Sequence, residues 1–117
     1  MIDVLTKEAI DLLIDLIGIE SFSKNENKTA ERIELWFNEK NIPFERINNN
    51  IWALNKYYDK SKPTLLLNSH HDTVRPNSGY TKNPFKPEIK DGKLYGLGSN
   101  DAGGALVSLL ALFAFYY

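Results

Sequence analysis

The feature that most constrains this chain is a short apolar run that leads into a cluster of ionisable side chains. Residues 64–69 hold three consecutive leucines between polar residues, and His70, His71 and Asp72 follow at once. A short uninterrupted apolar run predicts a strand buried on both faces, as in a parallel sheet covered by helices. Ligands of open α/β sheets bind outside the carboxyl ends of strands, so these residues are predicted to form a site, and their chemistry suits a metal.

Composition narrows the class of protein. The 117 residues, 43% of them hydrophobic, suffice for one domain with a single core. A net charge of -1 gives no electrostatic reason to expect nucleic acid or a membrane as partner. The chain has no cysteine, so any metal must be bound by histidine and carboxylate. Residues 1–4 carry an early acid and no basic segment before an apolar core, which predicts no signal peptide and a cytoplasmic location.

Three segments have the apolar patterns of helices. Residues 5–17 repeat apolar side chains at helical spacing and stop at Gly18. Residues 28–40 carry a narrower apolar stripe, and residues 102–116 are apolar on all faces, which predicts a buried helix too short for a hydrocarbon layer of about 30 Å. These helices are predicted to cover a sheet in which residues 64–69 form the central strand. The stripe of the second helix consists of Ala30, Ile33, Trp36 and Phe37.

Turn residues predict two hairpins and one long loop. Three asparagines, which tolerate positive φ, separate strand candidates at 44–47 and 51–55. The Asp91-Gly92 pair is a strong hairpin signal before a short strand at 93–95. Residues 75–90 contain three prolines and are predicted to be a surface loop, of a length that is usually functional in a compact domain.

The histidines and the first aspartate suggest metal chemistry. His70 and Asp72 are two residues apart at a strand end, where alternate side chains point to the same side. An imidazole can bind a metal through one nitrogen while a carboxylate accepts from the other N–H and fixes the tautomer. This makes His70 the ligand and Asp72 its partner, with His71 on the opposite side. Ordinary polar residues at a strand end would fit the triplet equally well.

Asp101 is the third candidate residue. It lies just before the third helix, where an aspartate is also an ordinary N-cap, so both roles stay open. The Gly96-x-Gly98 run beside it lacks the complete patterns of dinucleotide-binding and phosphate-binding loops. Phosphate binding therefore has little support.

Taken together, the motifs at 68–74, 83–87, 91–99 and 101–104 resemble the dinuclear zinc amidohydrolases of the M20 peptidase family. The likeness covers essentially the whole chain, and the first motif most resembles acetylornithine deacetylase-like members. The resemblance implies a three-layer α/β/α catalytic domain, a mixed sheet with helices on both faces. Residues 1–117 would be the N-terminal part of this catalytic domain, without the small dimerisation domain of the family.

The resemblance also implies roles for the candidate residues. His70 would bind one zinc ion, Asp101 would bridge two, and Asp72 would orient His70 as part of the catalytic machinery. Cobalt or manganese would be substitute metals, and the Asp101–Ala102 peptide bond would be cis. The glutamate general base and the remaining ligands would lie beyond Tyr117, so the isolated chain is expected to be inactive.

Three functions follow as hypotheses. The first is zinc-dependent hydrolysis of the amide bond of an N-acyl amino acid, in the manner of acetylornithine deacetylase in arginine biosynthesis, by a protein that is a homodimer at full length. The second is a metallo-exopeptidase of the dipeptidase or aminopeptidase type, acting on small peptides. The third is a non-catalytic truncated product that acts by associating with another polypeptide through its apolar C-terminal helix.

Overall fold

The computed structural model describes all 117 residues and contains three α-helices and two antiparallel hairpins. The prediction of a mixed helix and strand structure is confirmed. In chain order the elements are α1 (Ile2–Ile17), α2 (Asn27–Glu39), β1 (Glu45–Ile47), β2 (Asn50–Trp52), β3 (Glu88–Lys90), β4 (Lys93–Tyr95) and α3 (Gly104–Tyr116).

The core lies where the three helices meet. Helix α1 begins a turn earlier than predicted and ends at Ile17, and its C-terminal half turns four apolar side chains inward. Helix α2 buries the predicted stripe, so that pattern is confirmed as core. Arg32 on α2 lies 2.9 Å from the Asp15 carboxylate of α1 and links the exposed edges of the two helices. The buried apolar cluster consists of Leu12, Leu13, Leu16, Ile17, Ile33, Trp36, Phe37, Ile42 and Val107.

Helix α3 packs on the others along one side only. Val107 is buried against α1, and Phe113 meets Phe37 edge-on with ring centroids 6.4 Å apart. Leu112 and Tyr116 on its other faces are 45% and 69% exposed. The prediction of a helix buried all round is therefore wrong, because α1 and α2 cover a single face. None of the helices combines the length and the apolarity that a membrane span requires.

Both hairpins predicted from turn residues are confirmed. Glu45 pairs with Trp52 at the open end of the first, and Asn48 in its turn has a φ of 55°. In the second, Asp91 and Gly92 both have positive φ, as a two-residue turn that matches strand twist requires. Each hairpin pairs only within itself.

The prediction of a central buried strand at 64–69 is wrong in this structure. The segment makes no backbone hydrogen bond to other main chain, and Leu65 and Leu66 are 84% and 80% exposed. A strand is buried in a sheet only when neighbouring strands satisfy its N–H and C=O groups. Neither hairpin pairs with this segment, so these 117 residues form two separate ribbons and no mixed sheet.

Candidate metal centre

The segment that carries the histidines is held by a short parallel pairing with the loop after α1. The backbone N–H of Thr73 donates to the carbonyl oxygen of Ser21 over 2.7 Å, and the N–H of Ser23 donates to the carbonyl oxygen of Thr73 over 3.2 Å. Phe22 thereby pairs with Thr73. This contact fixes the chain directly after His70, although the preceding leucines are unpaired.

His70 lies between two carboxylates. Its Nδ1 is 3.0 Å from Asp72 Oδ1, and its Nε2 is 3.2 Å from Asp101 Oδ1. The predicted convergence of these three side chains is therefore observed. His70 Nδ1 also lies 3.2 Å from the carbonyl oxygen of Asp72, which can only accept, so Nδ1 carries the hydrogen. In the neutral ring with this tautomer, the lone pair of Nε2 points toward Asp101, as a metal ligand requires.

His71 faces away from this group, as alternation along an extended chain predicts. Its Nε2 donates to the carbonyl oxygen of Asn49 over 2.8 Å, and its Nδ1 lies 2.7 Å from the hydroxyl oxygen of Thr29. The ring therefore ties the first hairpin and α2 to the site segment. His71 is a structural residue in this arrangement.

Asp72 is fixed through both carboxylate oxygens. While Oδ1 faces His70, Oδ2 accepts a hydrogen bond from the hydroxyl of Ser23. This hydrogen bond lowers the pKa of the Asp72 carboxyl below its usual value, and the nearby His70 acts in the same direction. Asp72 is thus held as a carboxylate, in the form that accepts from imidazole.

Ser23 was not among the residues singled out from the sequence. The sequence feature that could have identified it is the polar-apolar-polar alternation of Ser21, Phe22 and Ser23, which has the period of a strand. Ser21 also contacts the site segment, because its hydroxyl donates to the carbonyl oxygen of His71 over 2.8 Å. The alternation indicates an extended segment but does not identify its pairing partner.

Asp101 belongs to a wide turn, Ser99–Gly103, that leads into α3. Its peptide bond to Ala102 is cis, as the resemblance implied. The N-cap position of α3 is Gly103 and there is no side-chain cap, so Asp101 is not the N-cap of that helix. Its side chain is 87% exposed and is available to a ligand.

Glycines allow the wide turn to approach its neighbours closely. A Cβ on Gly98 would lie 2.7 Å from Thr73 Cγ2, and one on Gly103 would lie 2.5 Å from Leu13 Cδ1. Gly98 also has a φ of 80°, which side-chain-bearing residues rarely adopt. Asp101 is brought to His70 because the turn can press against Thr73 and α1.

A small cavity of about 20 Å³ lies among the three candidate side chains and Thr73. This is room for about one water molecule. The hydroxyl oxygen of Thr73 is buried and has no partner in the protein. The apolar side of the cavity is formed by Leu13, Leu16, Ile17, Leu97 and Leu106.

The donor atoms fit part of a metal site. Zinc–ligand bonds of about 2.0–2.1 Å at tetrahedral angles separate two ligand atoms by roughly 3.4 Å. The distance of 3.2 Å between His70 Nε2 and Asp101 Oδ1 is close to that value. No group of three or more ligating side chains is present in the chain, whereas zinc sites have at least three protein ligands. The two residues fit as members of a larger ligand set.

Comparison with known proteins relates the segment that carries these residues to a peptidase family. Residues 66–116 match Peptidase family M20/M25/M40, and the match contains all three candidate residues. A succinyl-diaminopimelate desuccinylase of Rickettsia bellii is 33% identical over 106 residues, which are 85% of this chain and 27% of the relative. A LysW-lysine/LysW-ornithine hydrolase of Saccharolobus islandicus is 33% identical over 109 residues, 92% of this chain and 28% of the relative. The chain spans a little over a quarter of the length of these curated relatives, and its residues 66–116 are similar to the M20/M25/M40 peptidase family.

Proposed function

We propose that this chain is part of an enzyme that hydrolyses the amide bond of an N-acyl amino acid. In this proposal His70 and Asp101 are metal ligands, and Asp72 orients His70. The observation that carries the proposal is the position of His70, with Nδ1 on Asp72 and Nε2 facing Asp101. The match of residues 66–116 to a peptidase family and the names of the relatives support a hydrolase.

Each residue has a separate part in this proposal. Asp72, fixed by Ser23, holds the ring in one tautomer, because its carbonyl oxygen lies 3.2 Å from His70 Nδ1 and its Oδ1 lies 3.0 Å from the same nitrogen. His70 and Asp101 would hold zinc, two ions in the complete site, with cobalt or manganese as substitutes. Bound zinc would act as a Lewis acid toward the scissile amide carbonyl. The apolar side chains behind the site limit the access of water from the core side.

The substrate proposal is an amino acid whose amino group carries an acyl group. One relative is named for removing succinyl from succinyl-diaminopimelate, and the other for acting on LysW-lysine and LysW-ornithine. The motif at 68–74 adds acetylornithine as the specific candidate. Comparing acetyl, succinyl and dipeptide substrates on the full-length enzyme would distinguish a deacylase from an exopeptidase.

We also propose that residues 64–69 become a strand of a three-layer α/β/α domain when further strands lie beside them. The unpaired backbone of this segment and its exposed leucines support that expectation. The segment 64–69 has unpaired N–H and C=O groups that neighbouring strands can bond, and apolar side chains that covering helices can bury.

The test of the metal proposal is a zinc titration of this chain, measured by calorimetry and by the NMR signals of the two imidazoles. We expect weak binding that perturbs His70, is lost in His70→Ala and is reduced in Asp101→Asn. His71→Asn is the matched control, because that ring faces Thr29 and Asn49, and it should bind zinc as the parent does. Equal zinc binding by His70→Ala and the parent would refute the proposal.

A further inference from the structure

The turn of the second hairpin contains the one aspartate of the chain that is followed by a glycine. Asp91 precedes Gly92, and no asparagine of the chain is followed by a glycine either. Because glycine has no Cβ, the peptide nitrogen after Asp91 can approach the carboxyl carbon of the Asp91 side chain without a steric barrier. This pair is therefore the place in the chain where a side-chain carboxyl is best able to react with its own backbone.

Neither of the two groups that would react has a partner in the structure. The Asp91 carboxylate takes part in no ion pair and accepts no hydrogen bond. The closing hydrogen bond of a tight turn joins the residues on either side of it, and the N–H of Gly92 has no backbone acceptor. Both residues are exposed to solvent.

Asp59 is a contrasting aspartate in another exposed turn. Its Oδ1 accepts from the N–H of Ser61 over 2.9 Å and from the hydroxyl of Ser61 over 2.7 Å. The residue that follows it is Lys60, which carries a side chain. The carboxylate of Asp59 is thus held away from the adjacent peptide nitrogen, whereas that of Asp91 is free to rotate.

The turn at Asp91 also has room to change its shape. A Cβ built on Gly92 would have no atom within 4 Å. The hairpin has three residues in each strand and pairs with no other strand. A two-stranded hairpin of this kind is marginally stable in water, so its turn opens locally. The backbone can therefore leave its left-handed conformation and bring the Gly92 nitrogen to the Asp91 carboxyl group.

We propose that Asp91 is a site of spontaneous covalent modification, at which aspartate isomerises to isoaspartate. The Gly92 nitrogen attacks Cγ of the neutral Asp91 carboxyl group, so a C–N bond forms and the bond from Cγ to the hydroxyl breaks. The amide proton and the hydroxyl leave together as water, and a cyclic succinimide remains. Water then adds to the main-chain carbonyl carbon of Asp91 and breaks its bond to the Gly92 nitrogen, which gives isoaspartate without any oxidant or reductant.

The product changes the main chain of the turn. Its backbone runs through the former side chain and is one carbon longer, and the former main-chain carbonyl becomes a free carboxylate. A two-residue turn has a fixed geometry, so the adjacent pairing of Lys90 with Lys93 is lost. The exposed isoaspartyl carboxylate is the group that isoaspartate carboxyl methyltransferases esterify, and an enzyme of that class would act on the modified chain.

The test is to age the purified chain at neutral pH and physiological temperature and to locate isoaspartate by electron-transfer fragmentation mass spectrometry. We expect more isoaspartate at position 91 than at all other aspartates together, with a steady increase over time. Labelled methyl transfer by an isoaspartate carboxyl methyltransferase measures the total. NMR spectra of the aged chain should change at residues 88–95 and keep the signals of the buried faces of α1 and α2.

The matched control is Asp91→Glu, which keeps the charge of the turn but moves the carboxyl group one carbon farther from the Gly92 nitrogen. It should lose the methyl acceptance of the aged parent. Asp91→Asn should form the same succinimide with loss of ammonia and again give isoaspartate at position 91. Isoaspartate at position 91 no higher than at Asp59, or unchanged methyl acceptance in Asp91→Glu, would overturn the proposal. No metal takes part in this reaction, so its outcome is independent of the His70 zinc experiment.

Discussion

Asp72 has a partner on each carboxylate oxygen, and these two contacts explain how one loop residue orients the imidazole of His70. Ser23 holds Oδ2 and His70 holds Oδ1, so the carboxylate cannot rotate without losing one of the two contacts. The triplet of His70, His71 and Asp72 and the sidedness of the two histidines could be predicted from the sequence, because alternation is a local property. The role of Ser23 could not, because it depends on a pairing between distant segments.

We predict that Ser23→Ala raises the pKa of Asp72 toward its ordinary value. The hydroxyl stabilises the charged carboxylate, so the folded-state pKa lies below the unfolded one, and its contribution to stability is lost as the pH falls through the folded-state pKa. The carboxyl carbon shift of Asp72 against pH measures this. Ser108→Ala is the control, since that hydroxyl donates to Gly104 on α3. An unchanged Asp72 titration in Ser23→Ala would show that the hydrogen bond is not formed in solution.

Gly98 gives a second prediction at this scale, with Gly92 as its matched control. Both have similar positive φ, 80° and 73°, but only a Cβ at Gly98 would meet a neighbour, Thr73 Cγ2. Left-handed backbone costs roughly 1–2 kcal/mol for a residue with a Cβ, so Gly92→Ala should lose about that much stability. Gly98→Ala should lose about 1–3 kcal/mol more, from overpacking. Urea unfolding measures both, and equal losses would mean that the turn does not press on Thr73.

The helices and hairpins show which elements a single sequence can specify. Periodic apolar residues predicted the buried face of α2, and the turn residues at 48–50 and 91–92 predicted both hairpins, because these signals act over a few residues. Residues 64–69 were predicted as a central strand and are unpaired. Their pattern describes a segment that sheet neighbours can bury, but no neighbouring strand lies beside them in this structure.

Substitutions on the buried face of helix α2 should destabilise the fold more than substitutions on its exposed face. Phe37 is 4% exposed and contacts the rings of Trp36, Phe44 and Phe113. Phe37→Ala should therefore cost about 3–5 kcal/mol. Leu35 on the same helix is 50% exposed, and Leu35→Ala should change stability by about 0.5 kcal/mol or less. The free energies of unfolding in urea test this, and Phe37→Leu provides an intermediate variant should the alanine variant not fold. Similar losses of stability in Leu35→Ala and Phe37→Ala would show that the core does not lie on the Phe37 face of α2.

At the scale of the whole molecule, the candidate centre is incomplete within these 117 residues. The two proposed metal ligands, His70 and Asp101, are brought together, and no Asp or Glu follows Asp101 within these residues to act as a general base. The relatives that match this chain are a little over three times as long as it is.

We predict that this chain alone does not hydrolyse N-acyl amino acids, even with excess zinc. A positioned general base contributes roughly 10²–10⁴-fold, and two ligands bind zinc weakly. Acetylornithine and succinyl-diaminopimelate are the substrates to assay, with His70→Ala as the blank. Turnover on the order of 1 per second that disappears in His70→Ala would show a complete catalyst and contradict the prediction.

The unpaired segment 64–69 is expected to affect how the chaperones and proteases of a cell treat this polypeptide. Unpaired backbone amides and two exposed leucines are local properties of an unfolded chain, although this segment lies in a molecule whose helices have formed a core. Chaperones and proteases recognise such segments, and a bare strand edge also templates pairing with other chains. The segment from which His70 extends is therefore expected to be the first target of quality control, and neighbouring strands would protect it.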